Sequence, residues 1–207
     1  YDYHSAICNT KALVSAGINY KADNFPKDEA EVSAAGDLTG FISESVMNMV
    51  YNVIPSPSLD DKVDAVAECI AMLHKYGITS VSDITLPEDI DVYIELWKRD
   101  KLKLRINSYI PFTEFENLQS YRDKTSLISK DYFTVCGFKA FWDGALGSET
   151  ALFSGNYKGS SSNGLKTEIV RSGRIYELAK QIDSAGMQMI IHAIGDKAVN
   201  EVIELYA

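Results

Sequence analysis

The sequence predicts an α/β fold built on a mainly parallel sheet, and three observations lead to this prediction. Strand-like and helix-like stretches alternate along most of the chain, which is the pattern of parallel α/β layers. The 207 residues are enough to bury a sizeable core. Two strand-like stretches end in a polar side chain and a glycine-bearing loop, at Lys139 and at His192. Parallel barrels carry reactive groups at such strand ends, so these residues are candidates for one shared site.

The first 57 residues are predicted to form a mixed excursion that precedes the alternating part of the chain. The closely spaced prolines Pro55 and Pro57 oppose continuation of a helix, so we place the domain boundary after residue 57. The predicted elements of this region are a short helix capped by Asn9 and closed by Gly17, a polar excursion with a hairpin over 19–40, and a helix over 41–54.

The second predicted domain, residues 58–207, contains about four strand–helix units. Its first helix begins at Ser58 with an acid at the capping-box position, and Gly77 closes it. Later helices are recognised by apolar residues at three- and four-residue spacing. The predicted strands cover 78–84, 103–110, 133–142 and 187–191, and the predicted helices begin near 58, 87, 113, 175 and 196.

The charge and the cysteines of the chain limit its partners and its setting. The formal net charge is −9, and such a field opposes the approach of nucleic-acid phosphates or of an anionic membrane surface. We therefore expect no nucleic acid and no membrane as partners, and no apolar run reaches the roughly 18 residues that crossing a bilayer requires. Cys8, Cys69 and Cys136 are widely spaced without a C-x-x-C pair, which favours a reduced, cytoplasmic setting.

Lys139 and His192 each have a structural explanation beside the functional one. A lysine near a strand end often packs its stem on apolar surface, and a histidine there is often a hydrogen-bonded core or rim residue. In a functional site, burial lowers the pKa of a lysine, and imidazole is a common metal ligand. A buried amine also serves Schiff-base chemistry, so an aldolase-like barrel remains open. A binding or regulatory module that keeps the fold without the reaction remains open as well.

A family resemblance extends over most of the chain. Phe138 to Ser148, reading FKAFWDGALGS, resembles the fourth-strand signature of the amidohydrolase superfamily, in its N-substituted formamide deformylase-like and exoenzyme regulatory protein-like branch. Ile191 to Ala198, reading IHAIGDKA, is similar to the fifth-strand signature of that branch. Asp2 to Ala6 and Gly40 to Glu44 resemble two further blocks. The resemblance implies a (β/α)8 TIM barrel, of which we expect this chain to hold strands two to five as an internal fragment.

The resemblance also implies a chemistry. In the superfamily a fourth-strand lysine commonly carries a CO2-derived carbamate that bridges metal ions, and a fifth-strand histidine binds one of them. We therefore expect Lys139 to be a catalytic residue and a metal ligand, His192 to be a metal ligand, and the metal to be zinc or another divalent ion. The expected reaction is hydrolysis of an amide or formamide-like C–N bond in a small molecule. The candidate substrate contacts are His4, Glu44 and Asp143, of which Asp143 could instead shape its loop and Glu44 could complement a helix dipole.

Other ligands that the superfamily uses are missing from this sequence. It contains no first-strand H-x-H pair, no sixth-strand histidine and no eighth-strand aspartate. Two ligands do not complete a catalytic zinc site, so we expect residues 1–207 to be inactive on their own, with metal incompletely bound or absent. Four strands would also leave two unpaired sheet edges and an exposed inner face, which predicts self-association into a homo-oligomer.

Overall fold

The computed structural model describes residues 5–18 and 29–207, and at positions 44 and 45 it describes the backbone alone. The chain divides into two compact units, Tyr1–Ser56 and Pro57–Ala207. The predicted fold class is confirmed, because the second unit holds four parallel strands in a curled sheet that forms part of a (β/α) barrel. Within the described residues, no helix combines the length and the apolar character that spanning a membrane requires.

The first unit is a small antiparallel sheet accompanied by two helices. Its elements are β1 (Ser5–Ile7), α1 (Thr10–Ser15), β2 (Ala30–Val32), β3 (Leu38–Ser43) and α2 (Glu44–Tyr51). β3 lies in the centre and pairs with both β1 and β2. Asn9 caps α1 as predicted, since its side-chain oxygen accepts a hydrogen bond from the Ala12 amide at 2.9 Å. Leu13, Ile18 and Ile42 are buried in the centre of this unit.

The prediction of one helix over residues 41–54 is wrong at its start. Phe41, Ile42 and Ser43 complete β3 and pair with β1 instead. Burial alternates along β3, so the pairing satisfies a period of two that the helical interpretation overlooked. The helix begins only at Glu44. Pairing with a distant strand therefore outweighs the local helical preference of residues 41–43.

The second unit alternates helices and strands along its whole length. Its elements are α3 (Leu59–Lys75), β4 (Ser80–Ile84), α4 (Ile90–Lys98), β5 (Arg105–Pro111), α5 (Leu118–Thr125), β6 (Phe133–Phe141), α6 (Glu168–Arg171), α7 (Arg174–Ser184), β7 (Gln188–His192) and α8 (Asp196–Tyr206). Short 3-10 turns, Pro87–Asp89 and Phe112–Asn117, precede α4 and α5, where the sequence predicted single helices. Ser58 and Asp61 form the predicted capping box at the start of α3.

The four strands of this unit lie in the order β4-β5-β6-β7, and every neighbouring pair is parallel. One face of the sheet packs against helices and forms the main core, which includes the fully buried Ile110, Phe138 and Trp142. The opposite, inner face is partly polar. On this face the Tyr109 hydroxyl donates to the Gln188 side chain at 2.6 Å, across the intervening strand β6.

Candidate active site at the ends of β6 and β7

Lys139 faces the inner side of the sheet because β6 contains a bulge. Ser108 pairs with Val135, but the next residue, Tyr109, pairs with Gly137, so Cys136 is an extra residue in β6. A bulge of this kind changes which positions face each side of a strand. Before the bulge Val135 faces the helices, and after it the buried positions are Phe138 and Ala140. Lys139 is thereby directed to the inner face.

His192 lies on the same inner face of the neighbouring strand. The register pairs Lys139 with Ile190 and Phe141 with His192, and both strands run in the same direction. The prediction that the two residues lie at the same end of adjacent parallel strands is therefore confirmed. A stagger of two residues between adjacent strands separates their Cα atoms by roughly 8 Å. The Phe141 ring contacts both side chains, at 4.5 Å from the Lys139 Nζ and 5.2 Å from the imidazole, measured to ring centroids.

The amine of Lys139 is half-buried without a compensating charge. Burial lowers the pKa of its ammonium group below the ordinary value, and no nearby carboxylate of the described residues offsets this. Its contact with the Phe141 ring is a weak substitute for an ion pair. Lys139 therefore loses its proton more readily than an ordinary surface lysine.

The His192 ring is held by a backbone carbonyl. Its Nε2 atom lies 3.1 Å from the Gly144 oxygen. A carbonyl oxygen can only accept a hydrogen bond, so Nε2 carries a proton, and in the neutral form of the ring Nδ1 has the lone pair. Metal-binding histidines show this pattern, in which one ring nitrogen donates to a backbone carbonyl or carboxylate and the other binds the ion.

Asp143 is buried beside this ring and accepts hydrogen bonds from three backbone amides. Its side chain is fully buried, and Oδ1 lies 4.0 Å from the Nε2 atom of His192. The donors are the amides of Leu152 at 2.8 Å, Ile194 at 3.0 Å and Gly195 at 2.9 Å. Both carboxylate oxygens are thus occupied. Of the two roles that the sequence suggested, these hydrogen bonds support loop shaping over direct substrate contact.

A second group of residues fastens the end of β6 to α8, and sequence reasoning missed it. The indole nitrogen of the buried Trp142 donates to Glu201 at 2.7 Å, and Lys166 forms an ion pair with the same carboxylate at 2.8 Å. The Trp142 amide donates to the carbonyl of His192 at 2.8 Å, and the Thr167 amide donates to the Trp142 carbonyl at 2.9 Å. Glu201 is distant in sequence and looks like an ordinary helix-surface acid, so no local signal could have identified it.

The loop between β6 and α6 is packed closely against the start of α8. A Cβ atom added at Gly195 would lie 1.8 Å from the Leu152 carbonyl oxygen, so only glycine permits this approach. Gly164 has a φ of +100° and would meet the Ala151 oxygen at 2.0 Å in the same way. Glu149, in this loop, is a non-glycine residue with a φ of 55°. Such backbone strain occurs preferentially near functional sites.

The remaining predicted site residues, His4 and Glu44, belong to the first unit of the chain. His4 lies outside the described residues. Glu44 is the first residue of α2, and the structure describes its backbone but not its side chain. Among the residues that the structure describes, no three His, Cys, Asp or Glu side chains are grouped so as to hold a metal ion. The donors that remain are Lys139 and the Nδ1 atom of His192. An oxygen anion formed on the lysine would fit zinc together with imidazole, but these two supply only part of a site.

The fold is part of a (β/α) barrel with a lysine and a histidine at one end of adjacent strands, and comparison with known sequences identifies the family. The sequence profile of the amidohydrolase family matches residues 1–207, so the chain belongs to the amidohydrolase family. It is 26% identical to Protein LONG AFTER FAR-RED 3 of Arabidopsis thaliana, covering 99% of this chain and 37% of that protein. It is 25% identical to the Putative amidohydrolase YtcJ of Bacillus subtilis, covering 97% and 38%, and 22% identical to the Exoenzymes regulatory protein AepA of Pectobacterium carotovorum, covering 99% and 45%.

Solved structures resemble the chain over nearly its whole length. An uncharacterized metal-dependent hydrolase from Pyrococcus horikoshii superposes with a TM-score of 0.72 at 25% identity, over 98% of this chain and 40% of that one. A second, from Pyrococcus furiosus, has a TM-score of 0.72 at 22% identity, over 98% and 41%, and supports the fold alone. The chain therefore spans about two-fifths of the length of the relatives it matches.

Proposed function

We propose that this chain belongs to a metal-dependent hydrolase that cleaves a C–N bond, other than a peptide bond, in a small molecule. Membership of the amidohydrolase family and the similarity to a metal-dependent hydrolase support the hydrolase class. The observation that carries the proposal is the pairing of Lys139 and His192 on one face and one end of adjacent strands. The activity is proposed for a protein of the length of its relatives.

Lys139 supplies the reactive amine of the proposed site. Loss of a proton from the ammonium group leaves a neutral amine, which burial favours. The amine nitrogen adds to the carbon of CO2, and release of a second proton leaves a carbamate anion on Nζ. This replaces an amine with a pair of oxygen donors, which divalent metals bind well.

His192 supplies the second proposed ligand through Nδ1. The Gly144 carbonyl accepts a hydrogen bond from the N–H group at Nε2, which fixes the ring orientation. A bound zinc or other divalent ion would lower the pKa of a coordinated water and polarise the scissile carbonyl group. Residues 1–207 supply two ligands, whereas catalytic zinc sites use three protein ligands. We therefore propose that residues 1–207 alone bind zinc weakly and do not turn over amides.

Zinc titration of residues 1–207 in the presence and absence of 13C-bicarbonate tests the ligand assignment. We expect weak zinc binding that perturbs the His192 ring signals in NMR spectra and is strengthened by bicarbonate. Lys139→Met should remove the effect of bicarbonate. Lys158→Met is the matched control, because Lys158 is an exposed lysine of the following loop, and it should leave the effect intact. If zinc never perturbs His192, or if Lys139→Met responds to bicarbonate like the parent chain, the ligand assignment is wrong.

Activity measurements test the other half of the proposal. Equilibrium dialysis should show no stoichiometric tight zinc, and formamides and N-acyl amines should remain unhydrolysed by residues 1–207. Tight zinc together with turnover that His192→Asn abolishes would show that this chain contains a complete site. A Schiff-base function predicts a different result, in which borohydride with a small aldehyde or ketone gives a covalent adduct at Lys139. A non-catalytic regulatory function, suggested by the name of the Exoenzymes regulatory protein AepA, predicts no adduct and no effect of bicarbonate.

We also propose that the chain self-associates and that it functions in the cytoplasm. Both β4 and β7 are edge strands within the described sheet, and unpaired strand edges favour association. The inner face gives weaker support, because it carries polar residues such as Asn107 and Gln188 beside the half-exposed Ile84 and Phe141. Light scattering after gel filtration should give a mass above one chain. The three cysteines are free, as a reducing compartment requires.

A further inference from the structure

We infer that Asp143 is a positioning residue for His192, and that together with Gly144 it determines which imidazole nitrogen is available to a ligand. The inference rests on the proposed role of His192 in the site, but its geometry stands apart from any bound metal. Asp143 acts on the ring through the backbone that follows His192 and through its own charge. It contacts neither substrate nor metal.

The first argument is that three consecutive residues at the end of β6 hold the stretch that begins at His192. The Trp142 amide donates to the carbonyl of His192 at 2.8 Å. The Asp143 carboxylate accepts hydrogen bonds from the amides of Ile194 and Gly195, the second and third residues after His192. The Gly144 carbonyl accepts from the ring itself. The backbone and the side chain of His192 are therefore fixed from one segment.

The second argument concerns the charge of Asp143. Its Oδ1 atom lies 4.0 Å from the protonated nitrogen Nε2, too far for a hydrogen bond but close enough for attraction in a buried site. This charge favours a proton on Nε2. The charge and the Gly144 carbonyl thus select the same tautomer, which leaves the lone pair on Nδ1.

The third argument is that the residues around Asp143 are closely packed. Gly195 approaches the Leu152 carbonyl so closely that an added Cβ atom would overlap it, and Leu152 donates its own amide to Asp143. The carboxylate consequently joins the loop, the residues after His192 and the strand end in one arrangement. The same carboxylate lies 4.0 Å from the imidazole of His192.

The ring tautomer of His192 can be measured directly by 15N NMR. The chain contains three histidines, so the ring signals are assignable by single substitutions. In the parent chain at a pH where the ring is neutral, we expect the proton on Nε2. Asp143→Asn should raise the population protonated on Nδ1 several-fold and broaden the ring signals, because the substitution removes the charge and turns an N–H group toward the backbone amides.

Asp196→Asn is the matched control. Asp196 also accepts hydrogen bonds from backbone amides, those of Ser154 and Lys197, and so helps to anchor the same loop, but within the described residues it forms no hydrogen bond or ion pair with the imidazole. A purely structural carboxylate would affect stability alone, so this variant should keep the parent tautomer. If Asp143→Asn also keeps the parent tautomer and ring signals, the inference is overturned.

Two further measurements keep the test decisive if Asp143→Asn fails to fold. A parent ring that carries its proton on Nδ1 would overturn the inference by itself. Gly195→Ala retains the carboxylate but separates Leu152 from the residues after His192, and we expect it to disturb the ring signals, whereas Gly155→Ala, which meets no atom within 4 Å, should not. Absence of zinc binding by residues 1–207 would refute the ligand assignment of the proposed site and leave the tautomer result unchanged, so the two failures are distinguishable.

Discussion

The two halves of the parallel sheet each contain an aspartate near the carboxyl ends of their strands, but they use it differently. At the β4–β5 end, Asp83 accepts from the Tyr93 hydroxyl at 2.9 Å and from the Thr85 hydroxyl at 2.6 Å. The buried Ser108 hydroxyl donates to Thr85 at 2.7 Å. Burial, and then the charge of Asp83, raise the pKa of Tyr93. Every member of this network finds its partner within the network.

At the β6–β7 end the polar groups are only partly satisfied. Asp143 is occupied by backbone amides, while Lys139 lacks a carboxylate partner within the described part of the chain and the Nδ1 atom of His192 has a lone pair. A closed network of side chains stabilises a fold, whereas polar groups with unused capacity are available for a ligand. The two strand ends therefore differ in how far their polar groups are satisfied, although both contain buried polar residues.

Alanine substitution of the two aspartates should give the largest difference in the free energy of unfolding between the two strand ends. Asp143→Ala leaves three backbone amides without acceptors, and we expect it to lower the free energy of unfolding by on the order of 3 kcal/mol or more. Asp83→Ala leaves two hydroxyl groups, of which Thr85 retains its bond from Ser108, and about 1–2 kcal/mol should be lost. Urea unfolding measures both values. Equal losses would contradict the distinction between backbone and side-chain networks.

The tight packing at the β6–β7 end predicts the next largest effect. Gly195→Ala places a methyl group against the Leu152 carbonyl and should lower the free energy of unfolding by about 2–3 kcal/mol, as overpacking does. Gly155→Ala, in the same loop with open space around it, should change it by less than about 0.5 kcal/mol. Thermal or urea unfolding of both variants is the measurement. A tolerated Gly195→Ala would show that the loop can move away from α8.

A smaller effect is expected from opening the network at the β4–β5 end. Tyr93→Phe removes one donor to Asp83 and should cost about 1 kcal/mol, since Thr85 still bonds the carboxylate. Tyr121→Phe provides the control, because Tyr121 also donates to a carboxylate, that of Glu114, but at a more exposed position. The free energy of unfolding lost in Tyr121→Phe, measured in urea, should be smaller than that lost in Tyr93→Phe. A loss at Tyr93 as large as that of Asp143→Ala would remove the contrast between the two ends.

The smallest change in the free energy of unfolding is expected at Lys139, and it is the only substitution expected to increase stability. Burial lowers the folded pKa of its ammonium group, so below that pKa the folded chain bears the full cost of the buried charge. Between the lowered folded value and the ordinary unfolded value the unfolded chain binds more protons, and the stability of the parent chain therefore rises with pH. Lys139→Met should be slightly more stable than the parent at neutral pH, with a difference that shrinks as the pH increases. A difference independent of pH would contradict this.

Much of the fold could be predicted from the sequence because its signals are local. The capping box at Ser58, the closing glycines and the apolar runs before Lys139 and His192 are read from neighbouring residues, and each of them corresponds to an element boundary in the structure. The mistaken helix at Phe41 has the opposite cause. Its strand is fixed by pairing with residues 5–7, which no local pattern reveals.

The candidate site was predictable in its residues and not in its geometry. The strand ends indicated Lys139 and His192, but the bulge at Cys136 that directs Lys139 inward depends on the register with β5. The three backbone amides that donate hydrogen bonds to Asp143 belong to residues that lie 9, 51 and 52 positions away along the chain. Interactions over such distances are set by tertiary packing, so they become visible only when the strands are assembled.

The anchoring of Trp142 gives the chain an optical reporter at its candidate site. The chain has only two tryptophans, and Trp97 packs on the ring of Tyr132 on a different part of the sheet. The Trp142 indole is fully buried, donates to the Glu201 carboxylate and has the Lys166 ammonium 6.0 Å from its ring. Indole fluorescence responds to nearby charges, so a Trp97→Phe chain would emit from this position alone. Its emission wavelength would then follow any movement of the β6 end relative to α8 without a label attached to the protein.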